Sequence, residues 1–231
     1  MTMRILIVNK FLYLRGGDCV HSLNLKQLLR NAGHDVCFYA MSYSQNIVCE
    51  ENKYFAEEIS FSAKDLQGKI KAASRIIWGI GVVQNFKKLL EEFQPDVVHL
   101  NNIHSYLSPI VAKLAYQRGV KVIWTLHDYK LICPSYSCLC KGNTCEACFT
   151  DKKHVVLRKC MKNSFPASIL AWGEAMNWNK NKLSLWTNSF ICPSQFMAEK
   201  MQQGGYPASK LQVISNFIGE EQVQYLSLIH I

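Results

Sequence analysis

Residues 4–40 read RILIVNKFLYLRGGDCVHSLNLKQLLRNAGHDVCFYA, and this stretch decides the fold. Its run Ile5-Leu6-Ile7-Val8 is continuously apolar, which is typical of a strand buried on both faces. Gly16-Gly17 follow in a loop, and apolar residues at helical spacing then continue to Gly33. Val36-Cys37-Phe38-Tyr39-Ala40 is a second apolar run. The order strand, glycine loop, helix and strand predicts a βαβ unit, and therefore a parallel sheet with a right-handed crossover.

The same alternation of strands and helices continues along the chain. Helical periodicity covers residues 65–93, and Gly79 and Gly81 are expected to weaken or split that helix. Another helix is predicted over residues 165–183. Further strands are predicted at residues 97–100, 120–125, 190–192 and 211–214. This pattern predicts an α/β fold with a doubly wound parallel sheet. Residues 130–160 lack periodicity and are predicted to form an irregular, cysteine-rich insertion.

The composition narrows the class of protein. The chain has 231 residues, which predicts one domain or little more. Hydrophobic residues make up 49% and charged residues 19%, and these fractions exclude a disordered or fibrous chain. Apolar runs are too short for a membrane-spanning helix, and the first residues do not read as a signal peptide. We therefore expect a cytoplasmic protein.

The charge is basic and unevenly distributed. The net charge is +9, and residues 118–162 hold nine basic and three acidic residues, a surplus of +6. Such a surplus suits phosphate, a nucleotide, an anionic membrane surface or nucleic acid, or is simply a solvated basic surface. Nucleic acid is the least favoured partner, because the basic residues are spread through a loop and no base-reading motif is visible.

Three tryptophans follow the basic segment. They are Trp172, Trp178 and Trp186, and they lie near Lys180 and Lys182. An aromatic and basic helix can rest on a membrane interface, whereas tryptophans on the inner side of a surface helix belong to the core. The sequence favours the core.

Polar residues follow the predicted strands at the edge where open parallel sheets bind ligands. Those singled out are Gly16, Gly17, Asn101, Asn102, His104, His127, Asp128 and Ser194. The glycines let backbone N–H groups approach a phosphate at a helix N-terminus, with Asp18 expected at the N-cap. His127-Asp128 sets an imidazole beside a carboxylate, which suits proton transfer or a hydrogen-bonded turn. His99 lies inside an apolar run and is expected to be a core histidine.

Six of the ten cysteines fall between Cys133 and Cys160. Cys145-x-x-Cys148 has the spacing of a metal-binding turn, and Cys133 and Cys160 would complete a four-thiolate structural zinc site. Cys138 and Cys140 are alternative ligands. An iron–sulfur cluster and free reduced thiols are the other interpretations.

Several short motifs in this order resemble the N-terminal half of family-4 glycosyltransferases, which have the two-lobed GT-B fold. The motifs are Arg4-Ile5-Leu6-Ile7-Val8, Gly16-Gly17, Ala32-Gly33-His34-Asp35-Val36, Pro95-Asp96-Val97-Val98-His99-Leu100-Asn101-Asn102, Leu107-Ser108-Pro109, Thr125-Leu126-His127-Asp128-Tyr129, Cys133-Pro134, Cys192-Pro193-Ser194-Gln195-Phe196 and Val213-Ile214-Ser215-Asn216. The resemblance covers about residues 3–218.

The resemblance implies a retaining transferase that moves a sugar from a nucleotide sugar to an acceptor in cell-surface polysaccharide or lipopolysaccharide assembly. It implies that Gly16 and Gly17 lie against the donor phosphates, and that His127 faces the reacting sugar with Asp128 beside it. The acceptor would be a glycan or lipid-linked, bound by Asn101, Asn102, His104 and Ser194, and the protein could contact the inner face of the membrane. No metal or other cofactor is implied for catalysis.

The resemblance also implies a division of the chain. Residues 1–218 would form the Rossmann-like acceptor-side lobe, and residues 219–231 a truncated tail, with the donor-binding second lobe absent. We therefore expect the 231-residue chain alone to be inactive. The alternatives are a non-catalytic glycan-binding lobe and one subunit of a split transferase.

Overall fold

A computed structural model describes residues 1–61 and 65–217 of the chain. The strands are β1 (Arg4–Val8), β2 (Asp35–Tyr39), β3 (Val97–Leu100), β4 (Lys121–Thr125), β5 (Leu139–Cys140), β6 (Asn143–Thr144), β7 (Ser189–Cys192) and β8 (Leu211–Val213). The helices are α1 (Gly17–Asn31), α2 (Leu66–Trp78), α3 (Val83–Phe93), α4 (Ile110–Gln117), α5 (His154–Leu157), α6 (Phe165–Asn177), α7 (Lys180–Trp186) and α8 (Gln195–Gln203). Short 3₁₀ turns lie at Glu50–Tyr54, Ala147–Phe149 and Ala208–Lys210.

Six strands form one parallel sheet in the order β2-β1-β3-β4-β7-β8. From β1 to β2 the chain crosses the sheet in one direction, and from β2 through β8 it crosses in the opposite direction. Because each crossover is right-handed, α1 lies on one face of the sheet and the later crossover helices lie on the other. On that second face α3 packs on α4, and α4 packs on α7. The predicted α/β fold with helices on both faces of a parallel sheet is confirmed.

The central strands carry the core. Leu6, Ile7 and Val8 of β1 are fully buried, because helices cover both faces of the strand. Trp124 of β4 and Phe190 of β7 pack with their rings stacked at 6.2 Å, so the core continues across the sheet. The unbroken apolar run of β1 is therefore explained by its position inside the sheet.

One predicted helix is split, as its glycines indicated, and another ends earlier than the sequence pattern indicated. The helix over residues 65–93 is split at Gly79, whose φ of +71° is left-handed and whose missing Cβ leaves room for Ile110. The helix over residues 165–183 ends at Asn177, and Asn179 caps the next helix by accepting a bond from the Lys182 N–H. The expected N-cap at Asp18 is wrong, because Gly16 is the N-cap of α1 and Asp18 lies within the first turn.

Between β4 and α6 the chain is mostly irregular. It contains the small antiparallel pair β5–β6, one 3₁₀ turn and the single-turn helix α5. Its designation as an insertion stays a prediction, as does the boundary at residue 218. Residues 219–231 lie outside the described residues. Within the described ranges no helix is long and apolar enough to cross a membrane.

A buried arginine joins three loops around α2. Arg75 is fully buried, and its guanidinium donates to the carbonyl oxygens of Ile80 at 2.6 Å, Tyr106 at 3.0 Å and Glu57 at 3.2 Å. Ile80 follows α2, Tyr106 follows β3 and Glu57 precedes α2. One planar guanidinium thus donates hydrogen bonds to three separate loops. The ammonium group of a lysine lacks this planar arrangement of donors and could not replace it.

Candidate functional site at the carboxyl ends of β1, β3 and β4

The loops after β1 and β3 are tied together at the edge of the sheet. The Asn101 N–H donates to the Val8 carbonyl at 2.8 Å. The Asn102 N–H donates to Asn9 Oδ1 at 3.1 Å, and the Lys10 N–H donates to the Asn102 carbonyl at 3.0 Å. These bonds fix the backbone that follows both strands, so side chains on it have defined positions.

His127 follows β4 and is held by Asn101. Its Nε2 lies 3.0 Å from Asn101 Oδ1. An amide oxygen can only accept, so this bond places the proton on Nε2 and leaves the lone pair on Nδ1. Asn101 is buried, and its own carbonyl accepts from the Trp124 indole at 2.9 Å. In the described part of the chain its Nδ2 has no hydrogen-bond partner.

Five of the predicted site residues line one small cleft. They are Asn101, Asn102, His104, His127 and Asp128. The His104 ring stacks on Trp124, with centroids 5.4 Å apart and planes 25° apart. Asp128 accepts from the Lys130 N–H at 2.8 Å. His127 is thus hydrogen-bonded to the amide of Asn101, whereas Asp128 is hydrogen-bonded to the backbone of the turn that follows it.

The glycine loop lies close to the same cleft. Helix α1 begins at Gly17 with Gly16 as its N-cap and has no side-chain cap. One turn later His21 contacts His127, with ring centroids 5.1 Å apart. Lys10 Nζ lies 3.3 Å from Asp18 Oδ2, which offsets the acidic charge beside the helix N-terminus.

His21 is the residue that the sequence analysis missed. Its Nδ1 is buried and, among the described residues, has no hydrogen-bond partner, and Phe217 packs on its other side at 5.2 Å. The signal was present, because His21 is four residues after Gly17 and therefore lies on the same face of α1 one turn along.

Ser194 lies apart from this cleft. It is exposed after β7, and its hydroxyl accepts from the Met197 N–H at 3.2 Å as the N-cap of α8. The helix cap accounts for the serine at that position. Its predicted role in acceptor binding stays a prediction.

His99 is a core residue, as expected. It lies in β3, is 8% exposed, and its Nε2 is 2.8 Å from Thr125 Oγ1. Burial lowers the pKa of His99 to about 3. Burial, followed by the neighbouring His21, lowers the pKa of His127 to about 4. Both rings are therefore neutral near pH 7.

The buried histidines predict a loss of stability in acid. In the unfolded chain they protonate near pH 6.5, whereas in the folded chain His127 protonates near pH 4 and His99 near pH 3. Between these values the unfolded chain binds more protons, so the free energy of unfolding falls as the pH drops. We expect a decrease on the order of 3 kcal/mol from each histidine, and therefore about 6 kcal/mol from the two together, between pH 7 and pH 4.

Urea unfolding at a series of pH values measures this decrease. His127→Gln removes one of the two groups and should flatten the pH dependence, whereas His34→Gln, which changes a half-buried histidine outside the cleft, should leave it as it is. A free energy of unfolding that stays constant between pH 7 and pH 4 would contradict the assignment of neutral buried histidines.

Several cysteines after β4 lie close together. The Cys133 thiol is near those of Cys138 and Cys148, and the Cys160 thiol is near that of Cys140. Arg158 donates to Cys145 Sγ at 3.0 Å. Residues 1–61 and 65–217 hold no group of three or more His, Cys, Asp or Glu side chains arranged to hold a metal ion. The four-thiolate zinc site at Cys133, Cys145, Cys148 and Cys160 therefore stays a prediction.

The sequence matches a known family over most of its length. The sequence model of Glycosyltransferase Family 4 covers residues 15–222. The chain belongs to this family. Its family-4 membership confirms the resemblance seen in the motifs, and the match includes both Gly16-Gly17 and His127.

Individual relatives of this family-4 chain are distant. An uncharacterized glycosyltransferase of Methanosarcina acetivorans is 36% identical over 107 residues, which are 42% of this chain and 28% of that protein. The catalytic domain of starch synthase IV from Arabidopsis thaliana, bound to ADP and acarbose, is 12% identical with a TM-score of 0.54. That comparison covers 96% of this chain and 53% of the starch synthase.

A second solved structure shares the fold. It is the UDP-GlcNAc 2-epimerase from Neisseria meningitidis bound to UDP-GlcNAc, with 12% identity and a TM-score of 0.50 over 99% of this chain and 51% of the epimerase. The family-4 chain thus spans about half the length of both solved structures.

Proposed function

We propose that the protein containing this chain transfers a sugar from a nucleotide sugar to a glycan or lipid-linked acceptor, with retention of anomeric configuration, in the assembly of a cell-surface polysaccharide. The observation that carries the proposal is the contact of His21 with His127. Because His21 belongs to α1, this contact means that the N-terminus of α1, which has no side-chain cap, and the His127 imidazole lie at the same edge of the sheet. Open α/β folds bind ligands at this edge.

The two parts of this edge suit the two parts of a nucleotide sugar. The N-terminus of α1 offers backbone N–H groups and the positive end of a helix dipole, and the ion pair of Lys10 with Asp18 offsets the one acidic charge beside it. These groups would stabilise the diphosphate that leaves as the sugar is transferred. His127, neutral and with Nδ1 free of the Asn101 bond, would hydrogen-bond to a hydroxyl of the sugar.

Bound ligands in structures of the same fold support a nucleotide-sugar donor. The starch synthase holds ADP and the epimerase holds UDP-GlcNAc. On the acceptor side we propose Asn102 and His104, which line the cleft next to His127, together with Ser194. Asp128 contributes through the turn that positions His127. No step of the proposal needs a metal, because the N-terminus of α1 supplies backbone N–H donors and the positive end of a helix dipole.

Gly17→Ala tests the proposed phosphate position. A Cβ at Gly17 would meet no atom within 4 Å, and the residue has no left-handed φ, so alanine fits the free protein. A phosphate that accepts from the helix N-terminus comes close to the backbone there, and a methyl group would obstruct it. We expect donor affinity at least about tenfold weaker, equal to about 1.4 kcal/mol, with unchanged stability.

The assay is calorimetric binding of UDP- and ADP-sugars to the complete product of the reading frame that contains this sequence. Gln27→Ala, an exposed change on the same helix, is the matched control and should bind as the wild type does. Equal donor affinity for Gly17→Ala and the wild type would contradict the proposal that the donor phosphates bind at the N-terminus of α1.

A transfer assay on the 231-residue chain and on the complete product distinguishes the proposed function from the alternatives. We expect no transfer of labelled sugar by this chain, and transfer by the complete product, because the remaining half of such proteins would bind the donor. Transfer by the chain alone would contradict this division of the site. Glycan binding by the complete product without any transfer would favour the non-catalytic lobe.

A further inference from the structure

Aromatic side chains from three loops meet at the carboxyl edge of the sheet. Phe11 and Tyr13 follow β1, Tyr43 follows β2, and Tyr106 follows β3. The three tyrosine rings surround Phe11, with centroids 5.1–5.6 Å from its own. Tyr13 and Tyr43 stack on each other with their planes 18° apart. We call these four residues, together with Arg15, the tyrosine–arginine cluster.

This cluster has a buried centre and an accessible outer part. Phe11 is 3% exposed and belongs to the core of the domain. The three tyrosines are only half-buried, and Arg15 is exposed. The tyrosine rings and the guanidinium therefore present a surface to solvent that packing of the core does not use.

Arg15 brings a positive charge to the cluster without a carboxylate partner. Its guanidinium lies over the Phe11 ring, 4.7 Å from the centroid. Within the described residues no carboxylate forms an ion pair with Arg15, and that of Asp18 pairs with Lys10 instead. A planar guanidinium is the side-chain group whose donors best match the oxygens of a carboxylate or a phosphate.

Two tyrosine hydroxyls lie near this charge. Burial raises the pKa of the Tyr13 and Tyr106 hydroxyls, and the Arg15 guanidinium, which lies near both, opposes that rise. Both hydroxyls therefore keep their protons at neutral pH and can donate hydrogen bonds. One charged donor group and two neutral donors thus occur together at the edge of the sheet.

The loop after β3 holds Tyr106 in a defined place. Ser105 has a left-handed φ of 63°, which residues other than glycine rarely adopt. The Tyr106 carbonyl accepts from Arg75 at 3.0 Å, and the Tyr106 N–H donates to the His104 carbonyl at 2.7 Å. These bonds determine a conformation that would otherwise be unfavourable. Tyr106 is therefore fixed beside His104, which lines the cleft described above.

We propose that the tyrosine–arginine cluster is an acceptor subsite for a sugar that carries an anionic group, either a carboxylate or a phosphate. The apolar face of a pyranose ring would pack on the stacked pair of Tyr13 and Tyr43, because aromatic rings offer a flat apolar surface. Arg15 would bind the anion through charge-assisted hydrogen bonds. The role of this ligand as an acceptor rests on the proposed sugar transfer, whereas its binding does not.

The position of the cluster separates it from the proposed donor. Tyr43 follows β2 and His127 follows β4, and these strands are three positions apart in the sheet. Neighbouring strands lie about 4.8 Å apart, so the two loops begin about 14 Å apart. The proposed donor extends from His127 to the N-terminus of α1, which follows β1. The loop after β2 lies beyond that span, so a ligand held by Tyr43 would be a different molecule.

NMR titrations of the 231-residue chain test the site with matched ligands. Methyl glucoside is the neutral ligand, methyl glucuronide carries a carboxylate in place of its hydroxymethyl group, and the third ligand is methyl glucoside phosphorylated on the same carbon. We expect one or both anionic ligands to bind at least about tenfold more tightly than the neutral one. The tighter of the two identifies the anion as carboxylate or phosphate.

Variants separate the charge from the rings. Arg15→Gln removes the charge and should weaken the anionic ligand at least about tenfold, with the neutral ligand unaffected. Tyr13→Ala removes one ring of the stacked pair and should weaken all three ligands, whereas Tyr13→Phe keeps the ring and should retain the neutral ligand. Arg4→Gln is the matched control, because it changes an exposed arginine at the start of β1, at the opposite edge of the sheet. It should bind as the wild type does.

Circular dichroism of each variant confirms that it is folded before affinities are compared. Failure of both anionic ligands to bind, equal affinity for the neutral and anionic ligands, or wild-type affinity of folded Arg15→Gln would overturn the proposal. So would displacement of the anionic ligand by UDP in the complete product, because the cluster would then hold donor phosphate. Absence of sugar transfer with anion-selective binding intact would contradict the proposed function and leave this binding site in place, so the two failures are distinguishable.

Discussion

His127→Ala in the complete protein should lower the turnover number for sugar transfer by about 10²–10⁴-fold. The neutral ring, fixed by Asn101 Oδ1 at 3.0 Å, would contact the sugar while charge develops, and alanine offers no hydrogen-bonding atom there. Donor affinity should change much less, because the proposed diphosphate contacts lie at the N-terminus of α1. Initial rates of labelled-sugar transfer, measured with donor titrations by calorimetry, separate these two effects.

His34→Ala is the matched control, because His34 precedes β2 at the opposite edge of the sheet and bonds only to the Met3 N–H among the contacts seen for its ring. It should retain the wild-type rate. If His127→Ala also retained that rate, the histidine would be a turn residue and the cleft would not be the reacting centre.

Asn101→Asp tests whether the side chain at position 101 controls the pKa of His127. A carboxylate in place of the amide would raise the pKa of His127, because a nearby negative charge favours the imidazolium form. We expect the variant to lose activity as the pH falls through a value well above the wild-type His127 pKa of about 4. A purely structural defect would lower activity equally at all pH values, so the shape of the pH profile distinguishes the two.

Lys130→Met should have the largest effect on stability. Lys130 Nζ lies 2.8 Å from Glu174 Oε2, and the two side chains are 8% and 5% exposed. Lys130 Nζ also donates to the Pro134 carbonyl at 2.7 Å. Methionine would leave the Glu174 carboxylate buried without a counter-charge. We expect the free energy of unfolding in urea to fall by about 3–5 kcal/mol.

Two matched variants show whether burial of the charge is the cause. Lys153→Met breaks the exposed pair with Asp151, which has side chains 62% and 44% exposed, and should cost less than about 1 kcal/mol. The double variant K130M/E174L removes both buried charges and should recover most of the lost stability. A double variant no more stable than Lys130→Met would assign the loss to packing.

The fold could be predicted because its signals are local. The apolar runs of β1, β3 and β7 are short and bounded by glycine, proline or polar residues, so their positions follow from the sequence to within about one residue. The break at Gly79 was also visible, whereas the end of α6 depends on Asn179 as a cap, and an asparagine inside an apolar pattern is easily read as helix. The N-cap at Gly16 was missed because aspartate is the commoner cap.

The site was predictable in position and less so in its contacts. Parallel strands bring their carboxyl ends to one edge, so His127 and Asn101 were expected to be close. That Asn101 and not Asp128 holds His127 depends on χ angles that sequence spacing does not determine. The contact of His21 with His127 depends on how α1 packs over the sheet, which no local pattern specifies.

Arg75 has a mechanical consequence for the whole arrangement. Its bond to the Tyr106 carbonyl joins α2 to the loop that carries His104, and its bonds to the carbonyls of Glu57 and Ile80 hold the segments before and after α2. Because Arg75 bonds to both, a displacement of α2 would be transmitted to the loop that carries His104.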